Sequence, residues 1–115
     1  MVDHIKIRKA EGTWVVRAGG AVLAESKNAL ELTEGDQSPE IYFPREDIAM
    51  AFLDASEETS HSPHKGDASF FSIQTKSQTL ANAAWSYQTP SEGIERIKGH
   101  IAFYSAGSDV TVERI

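Results

Sequence analysis

The sequence predicts a mostly-β, single-domain protein over residues 1–115, with one or two short helices. Apolar residues alternate with polar ones at a period of two: Ile5 and Ile7 fall on one face of a strand, as do Phe71 and Ile73. Glycine-rich turn sequences such as "AGG" separate these short stretches. The length of 115 residues suits one domain, and 40% hydrophobic with 24% charged residues is typical of a folded chain.

The first part of the chain is predicted to form five short strands. They cover residues 4–9, 13–17, 21–26, 28–32 and 41–43. We expect the first two to form a hairpin, with Gly12 adopting a positive φ at its turn. Residues 33–40 have the composition of a loop.

A short helix or helical turn is predicted after Pro44, because proline is favoured at the first helical position. Ile48 and Phe52 have helical i,i+4 spacing. From Asp54 to Asp67 the chain is polar, and we expect a long irregular loop. Loops of this length are often functional.

The last part of the chain carries the clearest local signals. Thr89 is a candidate N-cap, Pro90 stands at the first helical position, Glu92 completes a capping box and Gly99 ends the helix. Ile94 and Ile97 should point inward, and Glu92 should pair with Arg96. Further strands are expected at residues 68–75, 82–88, 101–104 and 109–115, with a turn at residues 105–108, so the total is eight to ten strands.

The composition excludes several classes of protein. Without cysteine, the chain cannot form disulfides, thiolate zinc sites or a cysteine nucleophile. A net charge of −6 argues against nucleic-acid binding, which needs clustered Lys and Arg. No run approaches the roughly 20 apolar residues of a membrane span, and residues 1–12 lack the apolar core of a signal peptide. We therefore expect a cytoplasmic protein that binds neither nucleic acid nor membrane.

Several multi-residue blocks, in this order, resemble the family of the domain of unknown function 427 over nearly the whole chain. The blocks are "VVRAGGAVLAES", "YFPREDI", "SHSPHKGDASFFS", "NAAWSY" and "HIAFYSAGSDVTVE". The resemblance implies a β-tent similar to the zinc-binding Mss4-like folds but without their zinc. The family is sometimes described as nucleotidyltransferase-like, so the resemblance also suggests that activity.

The sequence departs from the family pattern at two places. Residues 62–66 read Ser-Pro-His-Lys-Gly where members commonly carry Cys-Pro-Tyr-Lys-Gly, and Glu25-Ser26 replaces an Asp-Ser pair. The first departure removes any role for a family cysteine. The second keeps a carboxylate on a longer side chain.

Our leading hypothesis is a small-molecule pocket, or a small enzyme, with an anionic or carbonyl group of the ligand near Lys65. The polar segment from Ser60 to Asp67 would form one wall, and Asp47 or Glu25 would orient Lys65. If the protein is an enzyme, Lys65 or His61 would transfer the proton, because burial and neighbours can tune the pKa of each. The candidate catalytic residues are Lys65, His61 and Asp47, and the candidate ligand-binding residues are Glu25, Tyr42, Ser60, His64, Gly66, Trp85 and Tyr87.

We expect no metal and no cofactor. His61 and His64, even with Asp67 or Asp47, form a weak metal motif, and the tyrosine usual in the family at position 64 is a poor ligand. Serine-hydrolase chemistry is also disfavoured, because neighbouring loop residues rarely assemble a serine–histidine pair.

Two other functions remain open. The chain could be a protein-interaction module, including a homodimer, that uses exposed strand edges or an aromatic face. Nucleotidyl transfer would need spaced carboxylates that hold divalent metal, and the sequence offers Asp109 without a second carboxylate at suitable spacing.

Overall fold

The computed structural model describes residues 4–105 and 109–115, and most of them lie in ten β-strands. The strands are β1 (Ile5–Lys9), β2 (Trp14–Ala18), β3 (Ala21–Ser26), β4 (Leu30–Glu34), β5 (Glu40–Phe43), β6 (Leu53–Ser62), β7 (Gly66–Gln74), β8 (Thr79–Tyr87), β9 (Ile101–Phe103) and β10 (Val110–Arg114). Single 3-10 turns occur at Arg45–Asp47, Met50–Phe52 and Glu95–Ile97. The mostly-β prediction is confirmed, while the turn predicted at 105–108 falls largely outside the described residues.

The strands form two antiparallel sheets. The large sheet has seven strands in the order β1-β4-β5-β9-β8-β7-β6, and the small sheet has three in the order β10-β2-β3. The helical turn predicted after Pro44 is present as two 3-10 turns. Ala49 donates its backbone N–H to the carbonyl of Leu23 at 2.7 Å, which ties this segment to β3. None of the helical segments in the described ranges has the length and apolarity needed to cross a membrane.

Apolar residues cover both faces of the large sheet. Phe43 packs in a cluster with Val16 of the small sheet, and its neighbour Tyr42 packs in a second cluster with Ile94 and Ile97. This follows from the alternation of side chains along β5. The central strands are therefore buried between the small sheet and the segment formed by residues 88–100.

The predicted hairpin between the first two strands is wrong. β1 pairs with β4 in the large sheet, whereas β2 pairs with β3 and β10 in the small one. The physical reason is burial, because Ile5 belongs to the second apolar cluster and Val16 to the first. Gly12 does have a positive φ of 85°, but it lies in a crossover between sheets.

The predicted irregular loop from Asp54 to Asp67 is also wrong. This segment forms β6 and the start of β7, joined by the turn at residues 63–65. Because β6 lies at the edge of the large sheet, its backbone pairs with β7 while most of its side chains remain in solvent. Such a strand needs no apolar alternation, so its composition resembles that of a loop.

The capped helix predicted from Thr89 to Gly99 is reduced to one 3-10 turn, Glu95–Ile97, without a side-chain cap. Two constraints oppose a longer helix. Gly93 has a φ of 97°, and Ile94 has φ −126° and ψ 28°, so both residues lie outside the helical region. The positive φ of 74° at Gly99 does end the segment, as expected.

The inward direction of Ile94 and Ile97 is confirmed, since both are fully buried. The expected pair of Glu92 with Arg96 does not form. Arg96 instead donates to the backbone carbonyl of Ile7 at 2.9 Å. This bond holds the 3-10 turn against β1.

Candidate functional site

The carboxylate of Glu40 lies between two hollows on the large sheet. The larger hollow is a cleft of about 580 Å³, and the smaller has a volume of about 210 Å³. Glu40 and Trp85 line both. The remaining residues of the smaller hollow are Ser60, Ala68, Phe70 and Tyr87.

The larger hollow, which we call the Trp14–Trp85 cleft, is partly open to solvent and is lined by residues of both sheets. Trp14 comes from the small sheet, and Trp85 and Phe103 come from the large one. Its walls are mainly apolar, and its charged lining groups are the carboxylates of Glu31 and Glu40. None of the described residues that line it is basic.

A chain of hydrogen bonds fixes Glu40 in place. The indole N–H of Trp85 donates to the Tyr42 hydroxyl at 3.2 Å, and that hydroxyl donates to Glu40 Oε1 at 3.1 Å. The rings of Tyr42 and Trp85 meet edge-to-face with centroids 6.5 Å apart. Because Tyr42 is fully buried, this arrangement is rigid and sets the direction of the Glu40 carboxylate.

Lys65 contacts the same carboxylate. Its Nζ lies 3.4 Å from Glu40 Oε1 and 3.5 Å from Glu34 Oε1, and its side chain is only 11% exposed. The Tyr87 ring centroid is 5.7 Å from Nζ. Lys65 carries one positive charge, and its two carboxylate partners carry two negative charges. Lys65 is therefore fully neutralised, and one negative charge remains in excess.

The environment keeps Lys65 protonated. Burial alone would lower the pKa of Lys65, but Glu40, Tyr87 and Glu34 outweigh it, and the pKa is raised above its ordinary value. Burial also raises the pKa of Tyr42, with a further contribution from the charge of Glu40. Burial is likewise the main cause of the raised pKa of Tyr87. These three groups therefore hold their protons more tightly in the folded protein.

We predict a loss of stability at alkaline pH from this cluster. A raised folded-state pKa gives stability that is complete below the unfolded value, about 10 for Tyr and Lys, and is lost as pH rises through the folded value. Urea unfolding between pH 8 and 11 should show a falling free energy of unfolding above about pH 10. Tyr42→Phe should make the fall shallower, whereas Tyr104→Phe, at an exposed phenol, should not. Equal slopes in all three proteins would contradict the prediction.

The structure brings together five of the residues singled out from the sequence. Tyr42, Lys65, Trp85 and Tyr87 lie in this cluster, and Ser60 lines the smaller hollow.

Other predicted residues lie nearby or point elsewhere. Gly66 closes the β6–β7 turn with a φ of 106°, and a Cβ there would meet the Thr89 carbonyl oxygen at 3.1 Å. His61 is exposed and lies 2.7 Å from Asp67. His64 faces His4 instead of the hollows.

The expectation that Asp47 or Glu25 orients Lys65 is wrong. Asp47 accepts a hydrogen bond from Ser26 Oγ at 2.6 Å, and both carboxylate residues line a separate, polar hollow beside β3. The long-range pairing of the small sheet carries this segment away from Lys65. The carboxylates that do contact Lys65 are Glu34 and Glu40.

Sequence reasoning missed Glu40, Glu34 and Trp14. Glu40 precedes Tyr42 by two positions in β5, so period-2 counting places both on one face and could have identified it. Nothing local in the sequence connects Glu34 to Lys65, because β4 and the β6–β7 turn meet only through tertiary structure.

Comparison with known proteins identifies one family. The family model described as a domain of unknown function (DUF427) matches residues 6–114. A search of curated proteins finds no match. The matched range extends from β1 to β10, so it covers both sheets and the site.

Proposed function

The chain belongs to the DUF427 family, and we propose that it is a small-molecule-binding protein whose ligand occupies the Trp14–Trp85 cleft. The observation that carries this proposal is the oriented carboxylate of Glu40 at the junction of two aromatic hollows. Binding sites commonly combine apolar walls with a few fixed polar groups in this way.

The chemistry of the cleft favours a neutral or cationic ligand with an apolar body. Trp14 and Trp85 offer ring surface, and Glu40 can accept a hydrogen bond from an amine, hydroxyl or amide N–H. Glu31 can do so with its remaining lone pairs, because its Oε1 already accepts from Arg8 Nε at 2.6 Å. An anion would have to compete with the carboxylates that already neutralise Lys65. Neither ligand group expected from the sequence, an anion or a carbonyl, fits these carboxylates, because both groups accept hydrogen bonds and donate none.

A binding role fits the geometry better than proton transfer. Lys65 has a raised pKa, so it is protonated near neutral pH and is a poor general base. His61 is exposed and paired with Asp67. Neither candidate offers a free base at the mouth of the cleft.

A second candidate function, protein interaction, is favoured by the edge strand β6. This ten-residue strand lies at the end of the sheet order and can add a partner strand. Its exposed Asp54, Glu57 and Glu58 favour a basic partner over a second copy of the same edge. Light scattering tests this preference: a monomer at high concentration agrees with it, and a homodimer would contradict it.

The proposal also includes a fold relationship and a cellular location. The two-sheet architecture supports a tent-like arrangement related to the Mss4-like folds. The cysteine-free, acidic composition supports action in the cytoplasm.

Thermal-shift measurements with a library of aromatic amines, alcohols and amides test the binding proposal. For any compound that stabilises the protein, Glu40→Gln should weaken the affinity by about 10–100-fold, because a hydrogen bond to a charged group contributes about 1.5–3 kcal/mol. Glu58→Gln, at an exposed carboxylate of β6, is the matched control and should bind normally. Equal affinities of the two variants would remove Glu40 from the site.

A further inference from the structure

Two imidazoles and a carboxylate converge beside Lys65. The ligand atoms of His4, Glu34 and His64 all lie within 4.8 Å of one another. His4 Nε2 is 3.4 Å from Glu34 Oε2, and the two imidazole rings meet edge-to-face at 4.4 Å.

Backbone contacts hold two of these groups together. Glu34 ends β4 directly opposite Ile5 of β1. The N–H of Gly35 donates to the carbonyl of His4 at 2.9 Å, which extends this pairing by one step. His4 therefore stands beside Glu34 because of sheet register.

The third group is placed by the β6–β7 turn. The hydroxyl of Ser62 accepts the backbone N–H groups of His64 and Lys65, at 3.3 and 3.1 Å. The same turn directs Lys65 to Glu34 and His64 to His4. Three distant segments of the chain thus supply one compact set of donors.

We propose that His4, Glu34 and His64 form a binding site for a divalent transition-metal ion. Imidazole nitrogen and carboxylate oxygen suit ions such as Zn²⁺ and Ni²⁺, whose bonds to these ligands are about 2.0–2.2 Å long. The donor atoms are close enough to reach one ion after small side-chain rotations. Three protein ligands leave coordination positions for water or another molecule.

The local charge agrees with a cation at this point. Lys65 neutralises only one of the two carboxylates that flank it, so Glu34 and Glu40 leave a negative charge in excess. A bound dication would change the local net charge from −1 to +1. The site differs from a structural thiolate zinc centre, which this cysteine-free chain cannot form.

The weak metal motif noted in the sequence has different ligands. It combines His61 with His64 and a nearby aspartate, and the structure separates the two histidines by directing His61 to Asp67. His61 consequently supplies a matched control, since it lies in the same hairpin as His64 but outside the donor cluster.

Isothermal titration with Zn²⁺ and with Ni²⁺ tests the site. Wild-type protein should bind one ion, and His4→Ala, Glu34→Gln and His64→Ala should each weaken the affinity at least about tenfold. His61→Ala and His100→Ala should bind as wild type does. Failure of the wild type to bind either ion, or an equal loss in His61→Ala, would overturn the proposal.

Histidine side-chain NMR of the wild-type protein gives a second readout that does not depend on how well any variant folds. Added Zn²⁺ should shift the ring resonances of His4 and His64 and leave those of His61 and His100 unchanged. The reverse pattern would refute the site. Neither experiment involves the cleft, so its outcome is separate from that of the ligand-binding proposal.

Discussion

Replacing Phe43 by alanine should lower the free energy of unfolding by about 3–5 kcal/mol, the range typical of large-to-small changes at a buried aromatic residue. Phe43 is fully buried in β5 and meets Phe103 edge-to-face at a centroid distance of 5.9 Å. Its loss opens a cavity between the two sheets. Urea denaturation followed by circular dichroism measures the effect.

Val22→Ala is the control for this prediction, because Val22 is 49% exposed in the small sheet. Its effect should stay within about 0.5 kcal/mol. If Phe43→Ala leaves too little folded protein to measure, Phe43→Leu should give a smaller loss in the same direction. A loss below about 1 kcal/mol for Phe43→Ala would show that the two sheets do not pack through this residue.

Lys65→Met should destabilise the protein by about 1–3 kcal/mol. The substitution keeps most of the apolar stem but leaves Glu34 and Glu40 without their shared cation. Removing one partner of a fully buried ion pair costs about 3–5 kcal/mol, and partial exposure of Glu40 makes the present cost smaller. Urea denaturation near neutral pH gives the value.

A double-mutant cycle separates charge from packing in this prediction. Adding Glu40→Gln to Lys65→Met removes one of the two uncompensated carboxylates and should recover part of the lost stability. Lys76→Met, at an exposed turn position, should have an effect within about 0.5 kcal/mol. If Lys65→Met and Lys76→Met were equally mild, Lys65 would not be the centre of the cluster.

Alternation predicted the strands that bury one face. Phe71 and Ile73 were placed correctly on one face of β7, and both belong to the first apolar cluster. The method failed for β6, because an edge strand with solvated side chains carries no period-2 signal. Alternation also failed to predict the partner of β1. The sheet that a strand joins depends on the apolar cluster in which its side chains are buried, and alternation does not reveal that cluster.

Capping signals misled in the segment after β8 because they are local. Thr89, Pro90 and Glu92 fit a helix start, yet Gly93 and Ile94 have backbone angles outside the helical region. The backbone conformation at these two residues outweighs the local helical propensity.

The candidate site was predictable in its aromatic residues, in Lys65 and in Ser60, but not in its carboxylates. Tyr42, Trp85 and Tyr87 were expected among the ligand-binding residues of one pocket, and they do lie together. The carboxylates were assigned incorrectly, because Glu34 and Glu40 approach Lys65 through sheet topology that no local pattern encodes. The same topology brings His4 to His64.

The central claim is that the Trp14–Trp85 cleft, which Glu40 helps to line, receives a small ligand. The chain has two tryptophans, so its NMR spectrum contains two indole N–H signals, one from each wall of the cleft. Titration with a compound found by thermal shift should move both signals together and saturably. A compound that binds without moving either signal would contradict the claim.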